Sequence, residues 1–210
     1  DNVLYEISNE NHPESTPWQY AIINFIKDYE KTLANQHPVG MTFQYKDGSN
    51  QTLFESPAAW ISPNREGGYR DNPTATDGSK VIIADTDHLG GIWGNQAWVW
   101  KSFLRGLNPI FMDCYDDKVL EKKINMDWQE SVRKSLGYTL EYANKMDLLK
   151  MLPDTSLVST KYCLANKGKE YLVYKPENDL VEIDLSSVPG TFSVEWFNPN
   201  TGEFSKDKSI

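Results

Sequence analysis

Apolar residues recur along this chain with two different periods, and the change from one to the other falls near residue 150. The chain opens on Val3-Leu4-Tyr5-Glu6-Ile7, a short apolar run that stops at Ser8-Asn9-Glu10. A run of this kind predicts a buried strand whose end carries polar groups. Across residues 16–34, Ile22, Ile23, Phe25, Ile26, Tyr29 and Leu33 return at helical spacing, with Ser15 or Thr16 placed to cap and Pro17 in the first turn. Further strands are predicted at 39–45, 58–61, 81–85 and 109–113. Helices are predicted at 96–105 and 126–149, the second carrying Trp128, Val132, Leu136, Leu140, Ala143 and Met146 on one stripe. Residues 46–50 and 62–79 read as loops, rich in Gly, Pro and Asn. Strand and helix alternate through this region, which predicts an α/β fold with a parallel sheet.

After Met151-Leu152-Pro153 the period drops to two. Short β-prone runs at 162–165, 171–174, 181–185 and 191–197 are separated by turn signals such as Asn166-Lys167-Gly168 and Pro189-Gly190. This pattern predicts a small antiparallel module. The expected domains are therefore 1–150 and 154–210. A catalytic-looking strand at the first residues and an unfinished strand pattern at the last ones make both ends read as cut.

Composition narrows the function classes. The chain has 210 residues, is 39% hydrophobic and carries a net charge of −9. That balance supports a packed core and argues against nucleic-acid or anionic-membrane partners, because no basic patch is interleaved with aromatics. No transmembrane run or signal peptide is visible. Cys114 and Cys163 fall in different predicted domains, so their spacing does not specify a disulfide. His12, His37 and His88 lie far apart, no metal motif is present and no cofactor is implied. Seven Trp and eleven Tyr supply flat rings of the kind that sugar-binding clefts, cores and interfaces all use.

The candidate chemistry sits at strand ends. Glycoside hydrolysis needs two carboxyl groups flanking one bond, an acid and a nucleophile or base. Glu10 is the first candidate. Val81-Ile82-Ile83-Ala84-Asp85-Thr86-Asp87-His88 offers the second, with Asp85 and Asp87 on the same strand parity and both open as choices. The competing reading of this tetrad is a helix cap. His88 could orient a carboxylate or hold a hydroxyl. Gln44, Tyr45 and Trp60 are candidate substrate contacts; Glu6, Asp113, Tyr115, Arg65, Tyr69 and Arg70 are secondary ones.

Two resemblances sharpen this. The run from Asn2 to Glu10 resembles the fourth strand of retaining (β/α)8 glycoside hydrolases, which implies acid/base chemistry at Glu10 and a sugar contact at Asn9. Asp85 stands where that superfamily usually has a Glu nucleophile; its shorter side chain leaves the retaining or inverting outcome open. Separately, Asn95-Gln96-Ala97-Trp98-Val99-Trp100-Lys101-Ser102-Phe103-Leu104-Arg105-Gly106 resembles the seventh helix of apiosidase-like glycoside hydrolases. In that family a small β-sandwich of collagen-binding type follows the barrel. Tyr171–Pro176, Val181–Ser186 and Trp196–Gly202 resemble that sandwich. The resemblance implies an α/β fold comprising the C-terminal half of a (β/α)8 TIM barrel, strands four to eight, followed by a truncated antiparallel β-sandwich. It implies a secreted or periplasmic glycosidase acting on a complex, plant-type glycan. The rival expectation is a non-catalytic carbohydrate- or matrix-binding protein on a degenerate barrel. A half-barrel that assembles through its open edges is a third. Sugar, linkage and oligomeric state are not specified by the residues.

Overall fold

The structure is a computed structural model that describes residues 2–113, 127–177 and 179–210. Cys114 and Tyr115 lie outside the described residues. The chain divides into two compact units, residues 1–91 with 107–112, and residues 92–106 with 113–210.

The first unit is built on a five-stranded parallel sheet, β1 Tyr5–Glu6, β2 Val39–Thr42, β3 Trp60–Ser62, β4 Val81–Asp85 and β5 Asn108–Ile110, in the unreversed order β1-β2-β3-β4-β5. Helices α1 Thr16–Glu30, α2 Asn50–Glu55 and α3 Thr86–Gly90 pack against β2, β3 and β4 respectively. Register pairs Tyr5 with Val39, Met41 with Ile61, Ile61 with Ile82 and Ala84 with Pro109. Paired residues share a face, and on this one Val39, Met41, Ile61, Ile82 and Ala84 are only 0–2% exposed.

The opposite face carries Glu6, Gly40, Thr42, Trp60, Ser62, Val81, Ile83, Asp85 and Ile110. Trp60 and Ile83 are buried, but Val81 and Ile110 are 55% and 47% exposed. Gly40 is required by close approach. A Cβ there would lie 1.9 Å from the Trp60 indole, which covers the position.

Several elements differ from the pattern-based expectation. The first strand is two residues long, and Val3 and Leu4 are exposed rather than buried. Among the described residues it pairs only with β2. Helix α1 stops at Glu30, four residues early, because the Glu30 carboxylate turns to accept the His37 backbone N–H and ring Nδ1, each at 2.6 Å. These bonds, the backbone one foremost, hold Glu30 below the usual carboxylate range despite its burial. Helix α2 falls in a segment expected to connect strands. It is six residues long and begins at a Ser49 cap that accepts the Gln51 N–H.

The second unit joins α4 Gln96–Leu104 and α5 Asp127–Lys145 to two antiparallel sheets. One is β6 Leu152–Pro153, β7 Cys163–Asn166 and β8 Glu170–Val173; the other is the hairpin β9 Glu195–Asn198 with β10 Glu203–Lys206. Residues 181–185, expected as a strand, contribute one bridge, Ile183 to Val158. The core is aromatic. Trp100 lies 5.8 Å from Tyr142, 6.3 Å from Tyr174 and 5.8 Å from Phe197, centroid to centroid. Burial, then the charges of Glu195 and Glu141, pushes the Tyr142 hydroxyl to about 12.

Asp154 braces the start of this module. Its carboxylate accepts the Ser156 hydroxyl at 2.6 Å, the Ser156 N–H at 3.0 Å and Lys167 Nζ at 2.9 Å. The Ser156 hydroxyl first, then Lys167, bring its pKa down from 3.8 to about 2. A depressed folded-state value gives stability that is fully present above the unfolded pKa and lost as pH falls toward the folded one. Asp154→Asn is therefore expected to destabilise the second unit by about 1–2 kcal/mol at pH 7, a discounted value for a partly solvated pair. The deficit should shrink between pH 4 and pH 2, as read from denaturant midpoints. An equal deficit at both ends of that range would exclude the charge as the cause.

Candidate functional site

The C-terminal ends of a parallel sheet gather whatever polar groups follow each strand, and here β1 to β4 all contribute. Glu10 follows β1 in a turn where Asn11 Nδ2 donates to Ser8 Oγ. Its backbone sits in the left-handed region, φ 49, and its side chain is exposed. For a non-glycine residue that conformation costs about 1–3 kcal/mol and marks a position held by its surroundings. Asn9 is exposed beside it.

At the end of β2, Gln44 and Tyr45 behave differently. Gln44 is 2% exposed, and its Nε2 donates to Thr16 Oγ1 at 2.9 Å and to the His12 carbonyl at 3.3 Å. It braces the loop between β1 and α1 rather than presenting its amide to a ligand. Tyr45 is exposed, with the His12 ring edge-on at 6.3 Å. Trp60 begins β3 instead of ending it. The indole is buried over Gly40 and its Nε1 donates to the Pro38 carbonyl at 3.3 Å, so the structure does not bring Trp60 to the strand ends.

Asp85 ends β4 and caps α3, one carboxylate oxygen accepting the Asp87 N–H at 2.9 Å. Asp87 is exposed in the first turn of α3. His88, one residue further, meets Ser62 Oγ with Nδ1 at 2.8 Å. Beyond β5, Asp113 is engaged by Arg133 through two bonds of 2.6 and 2.7 Å and is a structural ion pair.

Thr42 and Ser62 are additional polar groups at this end that the strand pattern did not single out. They are register partners on the face that carries Glu6 and Asp85. Thr42 Oγ1 donates to Glu6 Oε1 at 2.8 Å. Their signal was available in the alternation of Gly40-Met41-Thr42 and Trp60-Ile61-Ser62, which puts both hydroxyls on the parity opposite the apolar face. Among the described residues, no group of three His, Cys, Asp or Glu side chains is gathered for a metal ion. No described helix is long and apolar enough to cross a membrane.

In the second unit an open cleft of about 1720 Å³ runs between β8 and the segment leading into β9, with Trp100, Tyr142, Tyr171, Tyr174, Phe192 and Phe197 among its lining side chains. Residues 149–210, which supply most of that lining, match the family described as "Putative collagen-binding domain of a collagenase". No curated protein and no solved structure matches the chain.

Proposed function

We propose that residues 1–150 are the C-terminal half of a (β/α)8 glycoside hydrolase barrel, and that residues 154–210 are a β-sandwich that holds the enzyme to an extracellular matrix or carbohydrate ligand. The observation that carries this reading is the unreversed parallel order β1 to β5 with carboxylates following β1 and ending β4. Strand order without reversal is the winding of a barrel, whereas a doubly wound sheet reverses at its binding crevice. A half-open face bearing both apolar and polar residues is what a barrel interior looks like before it is closed.

In this reading Glu10 protonates the leaving glycosidic oxygen, and Asp85 or Asp87 attacks the anomeric carbon or activates water. Asn9 holds the hydroxyl beside the reacting carbon, and Tyr45 offers a ring face to the sugar. The two Asp candidates separate experimentally. Asp85→Asn keeps a capping oxygen for the Asp87 N–H and Asp87→Asn leaves the Asp85 cap in place, so each variant removes one carboxylate with α3 still capped, and the larger loss of kcat identifies the second carboxylate.

The test is hydrolysis of soluble plant heteroglycans by the chain alone and by the chain carrying three further βα units upstream. Among the described residues β1 and β5 are the outer strands of the sheet, and in this reading a half-barrel with those edges unpaired and part of its cleft supplied elsewhere predicts little activity from the chain alone. In the extended protein Glu10→Gln should lower kcat/KM about 10²-fold or more, the ordinary contribution of a general acid. Unchanged kcat/KM in that variant would end the acid/base assignment.

A second reading is a binding protein without catalysis. It is favoured by the commitment of Asp85 to a helix cap and by the family match at residues 149–210. It predicts that Glu10→Gln binds the same glycans as well as the parent, with no hydrolysis by either.

A further inference from the structure

Ser62 is 1% exposed, and His88 Nδ1 is the hydrogen-bond partner of its hydroxyl among the described residues. A buried hydroxyl proton needs an acceptor. Nδ1 can accept only when it carries no proton. If Nδ1–H instead donated to Ser62, the serine proton would be left buried without a partner among the described residues. The neutral ring must then carry its hydrogen on Nε2, which becomes a donor.

We infer that Ser62 is a positioning residue that fixes His88 as the Nε2–H tautomer, so that the ring offers one directed donor to a ligand hydroxyl oxygen at the strand ends. The ligand class, a neutral glycan, rests on the function proposed above; the tautomer does not. The same end of the sheet supplies the complementary group. Thr42 donates to Glu6 Oε1 at 2.8 Å and steadies that carboxylate as an acceptor on β1. Ser62 and Thr42 are register partners on adjacent strands, so the two buried hydroxyls set a donor on the β3–β4 side and an acceptor on the β1–β2 side. A sugar ring, whose hydroxyls both donate and accept, suits that arrangement. A purely anionic ligand would be repelled by Glu6.

The chain has three histidines, which makes a direct test practical. Long-range ¹⁵N–¹H correlation spectra of the ¹⁵N-histidine-labelled chain near neutral pH report the ring tautomer, with His12→Gln and His37→Gln spectra assigning the His88 signals. The expected result is an unprotonated Nδ1 and a protonated Nε2 in the parent. Ser62→Ala should convert His88 to a mixture of tautomers, and Ser62→Thr, which keeps a hydroxyl, should restore the single form. A mixed or Nδ1–H tautomer in the parent overturns the inference without requiring any variant to fold.

The functional arm uses the barrel-complete protein and the plant heteroglycan it cleaves best. Ser62→Ala should raise KM about 3–10-fold, the effect of one misdirected hydrogen bond, with kcat within about twofold and Ser62→Thr near the parent. Unchanged KM in Ser62→Ala overturns the ligand-facing role. Absence of cleavage and binding by the parent on every glycan refutes the glycan reading and with it the ligand assigned to Nε2, while the spectra decide the Ser62–His88 pair on their own.

Discussion

Trp100→Ala is expected to destabilise the second unit by about 3–5 kcal/mol, the range for removing a large buried aromatic. The indole is 4% exposed and meets Tyr142, Tyr174 and Phe197, rings drawn from α5, the residue after β8, and β9. Losing it empties the place where helix and both antiparallel sheets converge, and neighbours on three separate elements cannot collapse into the gap together. Trp100→Phe should cost far less, below about 2 kcal/mol, because volume is largely kept. The indole Nε1–H has no acceptor among the described residues, so that exchange also removes an unsatisfied buried donor. Denaturant titration with hydrogen exchange at the β7 amides measures both. Similar losses for the two variants would mean that the cluster is not held by ring packing.

Gly40→Ala is the matching prediction for the first unit. The new methyl would fall 1.9–2.4 Å from three atoms of the Trp60 indole. The indole is buried and also bonded to the Pro38 carbonyl, so it cannot swing clear without opening the sheet. A loss of about 3 kcal/mol or more is expected, at the upper end of overpacking effects. The clash is specific to one pair. In a Trp60→Leu background the same glycine substitution should cost under about 1 kcal/mol, giving a coupling of about 2 kcal/mol between the sites. Protection of the Met41 and Ile61 amides reports it; additive losses would place the strain elsewhere.

How much could be read from the residues depended on what each pattern required of its neighbours. Strand β4 was legible because Val81-Ile82-Ile83-Ala84 has an unbroken apolar core, and both Ile82 and Ala84 are buried as such a run demands. Helix α4 was equally clear, with six of its nine residues buried. Strand β1 was over-read, since an apolar run does not say whether a second neighbour exists to bury it. The alternation Val181-Glu182-Ile183-Asp184-Leu185 looked like a strand, but alternation supplies a face and not a partner. Only Ile183 finds a ladder position.

At the candidate site, the tetrad Asp85-Thr86-Asp87-His88 fits a helix cap and a cleft equally well in one dimension. The Asp85 bond to the Asp87 N–H gives it the first role, and the second remains a matter for activity. Gln44 and Trp60 were placed correctly near strands but not in accessible positions. Depth along a strand, and the glycine that makes room for an indole, are properties of register. Ser62 escaped notice for the opposite reason. Alternation places its hydroxyl on the polar parity of β3 but does not name its partner, His88, 26 residues further on.

The convergence on Trp100 bears on how portable the C-terminal module is. The family match begins at residue 149, yet the side chains that its Tyr174 and Phe197 pack against include Trp100, Tyr138 and Tyr142. A gene fusion cut at the family boundary would transplant the strands and leave behind the helical half of their core. Moved with α4 and α5, from about residue 92, the module carries its own foundation; moved without them, it would need a recipient able to offer an equivalent aromatic surface.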